Sequence, residues 1–147
     1  MKKAVVYWSG TGNTEAMAKA VAEAAGAELF TASEFSAAKA DEFDAIAFGC
    51  PAMGAEALEE SEFEPMFDGV KSRLAGKKVA LFGSYGWGDG EWMRSWEARC
   101  NDDGDWMQIW EDDCRAAGIN LVHDSVICNG EPDAQALAKC KALGAAL

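Results

Sequence analysis

The sequence predicts an α/β fold, a three-layer sandwich in which helices cover both faces of a five-stranded parallel sheet. Three observations carry this. Apolar, β-prone runs alternate with helix-forming segments along the whole chain. Two of the runs, "FDAIAFGC" and "KKVALFGSY", are nearly continuous in apolar residues, as strands buried on both faces are. The most distinctive loops, "SGTGNT", "PAMGAEALEE" and "YGWGDG", all follow strands, and open α/β sheets bind ligands beyond the carboxyl ends of their strands.

Strand one is expected over residues 2–8 and the first helix over 14–25, stopped at Gly26. A short second strand covers 28–32, and the polar stretch 33–42 connects with a turn of helix. Strand three covers 43–50 and ends at Pro51. A helix lies within 62–75, closed by Gly76, and strand four covers 77–85. Helical segments follow over 91–100 and 106–117, with Gly118 as the stop. Strand five covers 119–128 and the last helix 132–146. Right-handed crossovers join the strands. No internal repeat, low-complexity tract or linker intervenes, so residues 1–147 read as one domain.

The chain of 147 residues is half hydrophobic, enough for a substantial core. With 25 acidic and 13 basic residues its net charge is -12, which disfavours nucleic acid and anionic membrane and favours a basic partner. The N-terminus enters a strand without a leader pattern, and no apolar run approaches the roughly 20 residues that span a bilayer. Cys50, Cys100, Cys114, Cys128 and Cys140 are odd in number and form no CxxC, which fits reduced thiols in a cytoplasmic protein rather than a disulfide framework or zinc site. The sole histidine, His123, falls inside strand five and reads as structural. No residue is assigned a catalytic or metal-binding role.

The first loop lies within "WSGTGNT", residues 8–14. Amides at a helix N-terminus carry positive partial charge, and glycines let the backbone curl around an anion. Ser9, Thr11 and Thr14 add hydroxyl donors and Asn13 an amide donor. The lysine of a P-loop is missing, and Glu15 stands where a dinucleotide fingerprint needs its third glycine. An ordinary N-cap with turn glycines would not need six consecutive cradle-type residues. The better reading is a terminal monophosphate that stays bound. In the third loop, glycines surround Trp87, so nothing local covers its ring. Met53 in the second loop is a soft partner for an aromatic face. Met53 and Trp87 could sandwich a planar ring. A planar ring bearing a terminal monophosphate describes flavin mononucleotide, FMN.

The segments "VYWSGTGNTEAMA", "GCPAMGAEALEESEFEP" and "GKKVALFGSYGWGDGEWMR" resemble the short-chain flavodoxins of the clostridial and anaerobe type. They span most of residues 5–94, and the later "EPD" with its helix is similar too. The resemblance implies sheet order 2-1-3-4-5 with FMN at the switch point between strands one and three. It implies that Ser9, Gly10, Thr11, Gly12, Asn13 and Thr14 hold the phosphate without a positive side chain. Met53 and Trp87 would flank the ring beside Pro51 and Ala52, and Glu56 would pair with flavin N3–H. Ser84, Tyr85, Gly86, Gly88 and Asp89 would supply backbone or polar contacts. The Met53–Gly54 peptide would flip on reduction, turning its carbonyl towards flavin N5, and glycine suits the positive φ this needs. An anionic hydroquinone beside an acidic protein would have a strongly negative potential.

The function so implied is a low-potential one-electron carrier, not an enzyme, shuttling between semiquinone and hydroquinone in place of ferredoxin. It would be a cytoplasmic monomer meeting redox proteins with basic docking faces, such as ferredoxin-linked reductases. Two departures stand out. Ala55 occupies a position that is polar or acidic in some relatives, and residues 101–116 lengthen the connection before strand five. In that segment Trp106, Ile109, Trp110 and Cys114 recur at helical spacing, which suits an amphipathic helix on the sheet or, alternatively, a docking patch. A second reading of the chain is an FMN-dependent NAD(P)H or quinone reductase. Trp87 stacked on the ring would block that reductase's second substrate. A receiver domain is disfavoured, because Cys50 stands where strand three should end in Asp.

Overall fold

The computed structural model describes residues 2–9, 12–50, 62–85, 105–129 and 132–147. Its strands are β1 (Lys3–Tyr7), β2 (Glu28–Thr31), β3 (Ala45–Gly49), β4 (Lys78–Tyr85), β5 (Asn120–Leu121) and β6 (Val126–Asn129). Its helices are α1 (Asn13–Ala25), α2 (Ala37–Ala40), α3 (Phe63–Val70), α4 (Asp105–Ala116) and α5 (Ala134–Ala146). Every pairing is parallel, in the order β2-β1-β3-β4-β5, with β6 also on β4. The order is the one the resemblance implies.

Alternation along the central strands sorts their side chains onto two faces. Ala4, Val6, Ile46, Phe48, Val79 and Leu81 point to one core, covered by α3 and α4. Val5, Tyr7, Ala45, Ala47, Ala80 and Phe82 point to the other, covered by α1 and α5. Both faces are buried, which is why "AIAFG" and its neighbours carry no polar alternation. On the first face Trp110 of α4 meets Phe63 and Phe67 of α3 edge-on, with ring centroids 5.5 and 5.6 Å apart. Phe67 in turn meets Phe48 of β3 at 5.1 Å. With Met107 and Cys114 also buried, α4 packs on the sheet as an amphipathic helix should. The side chains of Trp106 and Ile109 lie outside the described residues, as does the helix expected over 91–100.

On the second face Met17, Ala18, Val21 and Ala22 of α1 share one core with Ala136, Cys140 and Leu143 of α5. The approach is close at Gly144, where an added Cβ would lie 2.5 Å from the Val21 carbonyl oxygen and 3.1 Å from Ala24 Cβ. Gly26 ends α1 in the left-handed conformation at φ 66°, as its position predicts.

Two expectations need correction. The helix expected over 62–75 is α3 followed by a 3-10 turn, Lys71–Arg73, so Gly76 closes a turn rather than a helix. Strand five is not continuous. From Val79 to Phe82 β4 advances three residues, while its partner advances five, from Leu121 to Val126. Two extra residues therefore loop out, and His123 sits in the break, its Nδ1 2.8 Å from the Asp124 carbonyl oxygen. Because the excess is even, the strand resumes on the same faces: Leu121 packs on the first core, Val126 on the second. Periodicity alone cannot register such a break.

Replacing Gly144 with Val should wedge α1 and α5 apart and cost about 1–3 kcal/mol, read as a lower urea midpoint at unchanged m-value. Cys114 and Cys140 are fully buried, and burial is the main cause that pushes each thiol pKa up to about 12. Both should resist iodoacetamide at neutral pH in the native protein and become alkylated in urea, as mass spectrometry would show.

Candidate cofactor site

β1 and β3 end level, at Tyr7 and Gly49, beside Phe82 of β4, and β4 runs three residues further to Tyr85. Beyond the paired residues, the Trp8 amide donates to the Gly49 carbonyl at 3.0 Å and the Cys50 amide to the Phe82 carbonyl at 3.2 Å. All three strands run the same way, so their carboxyl ends face one edge of the sheet, and strand order reverses between β1 and β3. β3 ends on Gly49, where a Cβ would overlap the ring of Phe82, its cross-strand partner.

The first loop turns into α1 at Gly12, which holds φ 94°, ψ -9°. That left-handed conformation is what requires glycine, since a Cβ there would meet nothing within 4 Å. Being glycine, the cap residue offers no side-chain acceptor to the first-turn amides. Elsewhere the chain does cap with side chains: Ser36 accepts from the Lys39 amide, and Asp133 from the Ala136 amide at 2.8 Å. The Gly12 amide itself donates to Ser9 Oγ at 3.0 Å, closing the loop on itself. Thr14 and Ser84, 1 % and 4 % exposed, face each other with their hydroxyl oxygens 2.8 Å apart. This bond joins the start of α1 to the end of β4, and so the first loop to the third.

Beside the loop lies a cleft of about 410 Å³ lined by Tyr7, Trp8, Ser9, Gly12, Glu15, Thr31, Ser33 and Glu62. These lining residues include two carboxylates and no lysine or arginine. Tyr7 donates its phenol to Glu15 Oε2 at 2.9 Å. Burial first, then the hydrogen bond and charge of Glu15, with a smaller effect of Glu34, raises the Tyr7 pKa, so the phenol stays protonated. Sequence reasoning passed over this pair. The available signal was a tyrosine at the end of strand one followed, across the loop, by an acid in the first helical turn.

Of the residues expected at the site, the structure brings together Ser9, Gly12, Asn13, Thr14 and Ser84, and carries β4 through the backbone of Tyr85. Gly10, Thr11, Pro51, Ala52, Met53, Gly54, Ala55, Glu56, Gly86, Trp87, Gly88 and Asp89 lie outside the described residues. Among the described residues no group of three His, Cys, Asp or Glu could hold a metal, and no helix is long and apolar enough to cross a membrane.

The family model for flavodoxin matches residues 5–105. The chain belongs to the flavodoxin family. It is 53% identical over 104 residues to a flavodoxin of Megasphaera elsdenii, an alignment covering 67% of this chain and 75% of that one. To a flavodoxin of Clostridium beijerinckii it is 52% identical over 103 residues, covering 66% and 74%. Its fold superposes on a solution structure of two-electron reduced M. elsdenii flavodoxin with a TM-score of 0.78, 39% identity, and 98% and 96% of the two chains covered. The chain is accordingly an FMN-binding electron carrier and not an enzyme, and it acts with redox partner proteins. The matches do not favour the reductase reading.

The donors present suit a phosphate. The cradle offers uncapped helix amides, a buried Thr14 hydroxyl and the half-buried Ser9 and Asn13, all neutral.

Substituting Thr14 with Val should leave the Ser84 hydroxyl buried without its partner and cost about 1–3 kcal/mol of apoprotein stability. The double change Thr14→Val/Ser84→Ala should cost less than the sum of the two single changes by about 0.5–3 kcal/mol, measured by urea denaturation.

Proposed function

We propose that residues 1–147 form one domain that binds FMN along the carboxyl edge of β1, β3 and β4 and serves as a low-potential, one-electron carrier. The observation that carries this is the glycine-capped start of α1, which no side chain caps and which the Thr14–Ser84 bond joins to the end of β4. FMN supplies the electron chemistry; the chain binds, orients and shields it.

Each residue has a stated part in this reading. Ser9, Thr11, Asn13 and Thr14, with the Gly10 amide and the first-turn amides of α1, hold the phosphate, and Gly12 gives the loop its turn, its own amide bonded to Ser9 Oγ. Met53 and Trp87 flank the ring, Pro51, Ala52 and Gly54 contact it from the loop that carries Met53, and Glu56 pairs with N3–H. Ser84, Tyr85, Gly86, Gly88 and Asp89 supply backbone or polar contacts around ring and ribityl. A net charge of -12 disfavours adding negative charge to the ring, which lowers the potential of the second electron. The same charge steers a basic docking face towards the exposed edge. The protein acts as a monomer in the cytoplasm, where its buried thiols remain reduced.

A stepwise reductive titration followed by visible absorbance tests the one-electron reading. The expected result is a long-wavelength species that rises after the first electron equivalent and decays with the second. Direct bleaching in one two-electron step would overturn it. Association with a redox protein of basic docking face should slow steeply between about 0.01 and 0.15 M ionic strength, as the Debye length falls from about 30 to about 8 Å. A rate indifferent to salt would count against the electrostatic docking.

A further inference from the structure

Two glutamates in this chain hold the same position, the third residue of a helical turn, and behave differently. In the turn that follows β2, Glu34 folds back on its cap residue: its Oε1 accepts the Thr31 amide at 2.9 Å and the Thr31 hydroxyl at 2.9 Å. This is the capping box, the ordinary resting place of an acid at that position. Glu15 is the third residue of α1, whose cap is Gly12. It does not fold back. The Gly12 amide is taken by Ser9 Oγ, and Glu15 Oε2 accepts the Tyr7 phenol at 2.9 Å.

The difference has an energetic meaning. First-turn amides attract any nearby anion, and a carboxylate on the same turn is at high effective concentration. Released, Glu15 would fold onto those amides and compete with an anion arriving from solution. It would also repel a phosphate dianion already seated there. Tyr7 is well placed to prevent both. It sits on β1, 8 % exposed, its ring fixed in the second core, so its hydroxyl is a stationary donor at the cleft wall.

We propose that Tyr7 is a positioning residue: its phenol holds the Glu15 carboxylate off the first turn of α1 and keeps those amides open to the FMN phosphate. The inference rests on the reading of the first loop as the phosphate cradle.

The test is FMN and riboflavin binding to apoprotein, followed by quenching of flavin fluorescence, for the natural chain, Tyr7→Phe and Tyr7→Phe/Glu15→Ala. Riboflavin lacks the phosphate and reports everything else at the site. The natural chain should bind FMN more tightly than riboflavin. Tyr7→Phe keeps the ring and its packing, and it should weaken FMN roughly five- to tenfold if released Glu15 occupies the cradle for most of the time. Its riboflavin affinity should not change. Removing the carboxylate in the double variant should return FMN affinity to within about twofold of the natural chain. Unchanged FMN affinity in Tyr7→Phe would overturn the proposal. So would a loss that Glu15→Ala does not rescue, or one shared equally by riboflavin, either of which would make Tyr7 a packing residue only. Equal affinity of the natural chain for FMN and riboflavin is a separate result, which would reject the phosphate cradle itself.

Discussion

Everything at the site depends on the register of three parallel strands. β1, β3 and β4 pair residue for residue, Tyr7 with Gly49 and Gly49 with Phe82, and their ladder continues one step past the strands through the Trp8 and Cys50 amides. A parallel sheet can be held this firmly only when both faces are buried, because its hydrogen bonds alone gain little over water. The two cores supply that burial. The aromatic cluster of Phe48, Phe63, Phe67 and Trp110 presses on one face and the small-residue contact of α1 with α5 on the other. A slip of one residue in β3 would exchange the two faces and displace the second loop from the edge that the first and third share.

On this edge, the donors that the described part of the first loop offers are neutral groups. Lysine or arginine is the usual device for holding a dianion on an acidic protein. The backbone offers an alternative, since the cap residue of α1 is a glycine and no side-chain cap bond is made at its first turn. Neutral donors leave the ring's surroundings free to set the redox balance, whereas a fixed cation near the phosphate would favour the fully reduced, anionic flavin. A neutral cradle is also vulnerable to the chain's own carboxylates, and the cleft beside it contains Glu15 and Glu62. Where those carboxylates are tied therefore matters as much as which donors are present.

Much of this was legible in the sequence. The runs that became β3 and β4 are apolar without alternation, and that feature specifies a strand covered on both sides. Gly12 and Gly26 both adopt positive φ at the ends of α1, as their positions suggested. What was not legible has a common cause. The Thr14–Ser84 and Tyr7–Glu15 bonds join residues whose side chains meet only once strand, loop and helix are assembled. No local pattern encodes such a meeting. The second and third loops, which carry Met53 and Trp87, are long and rich in Gly, Ala and acidic residues, and neither period nor propensity constrains their path.

The break between β5 and β6 shows how the fold tolerates change at its far side. The two extra residues enter where the neighbouring strand is covered by α4, and Ser125 in the break donates to Glu111 of that helix at 2.7 Å. Loop and helix thus satisfy each other's polar groups without drawing on the central strands. The parity of the insertion returns Val126 to the core it must fill, so β6 rejoins β4 from Phe82 to Tyr85, at the level where the third loop departs. A helix as long as α4 and an interrupted edge strand can therefore be accommodated while β1, β3 and β4 keep their register. The half of the sheet bearing β1 and α1 has less such latitude, because the Ser9–Gly12, Tyr7–Glu15 and Thr14–Ser84 bonds all meet where β1 turns into α1.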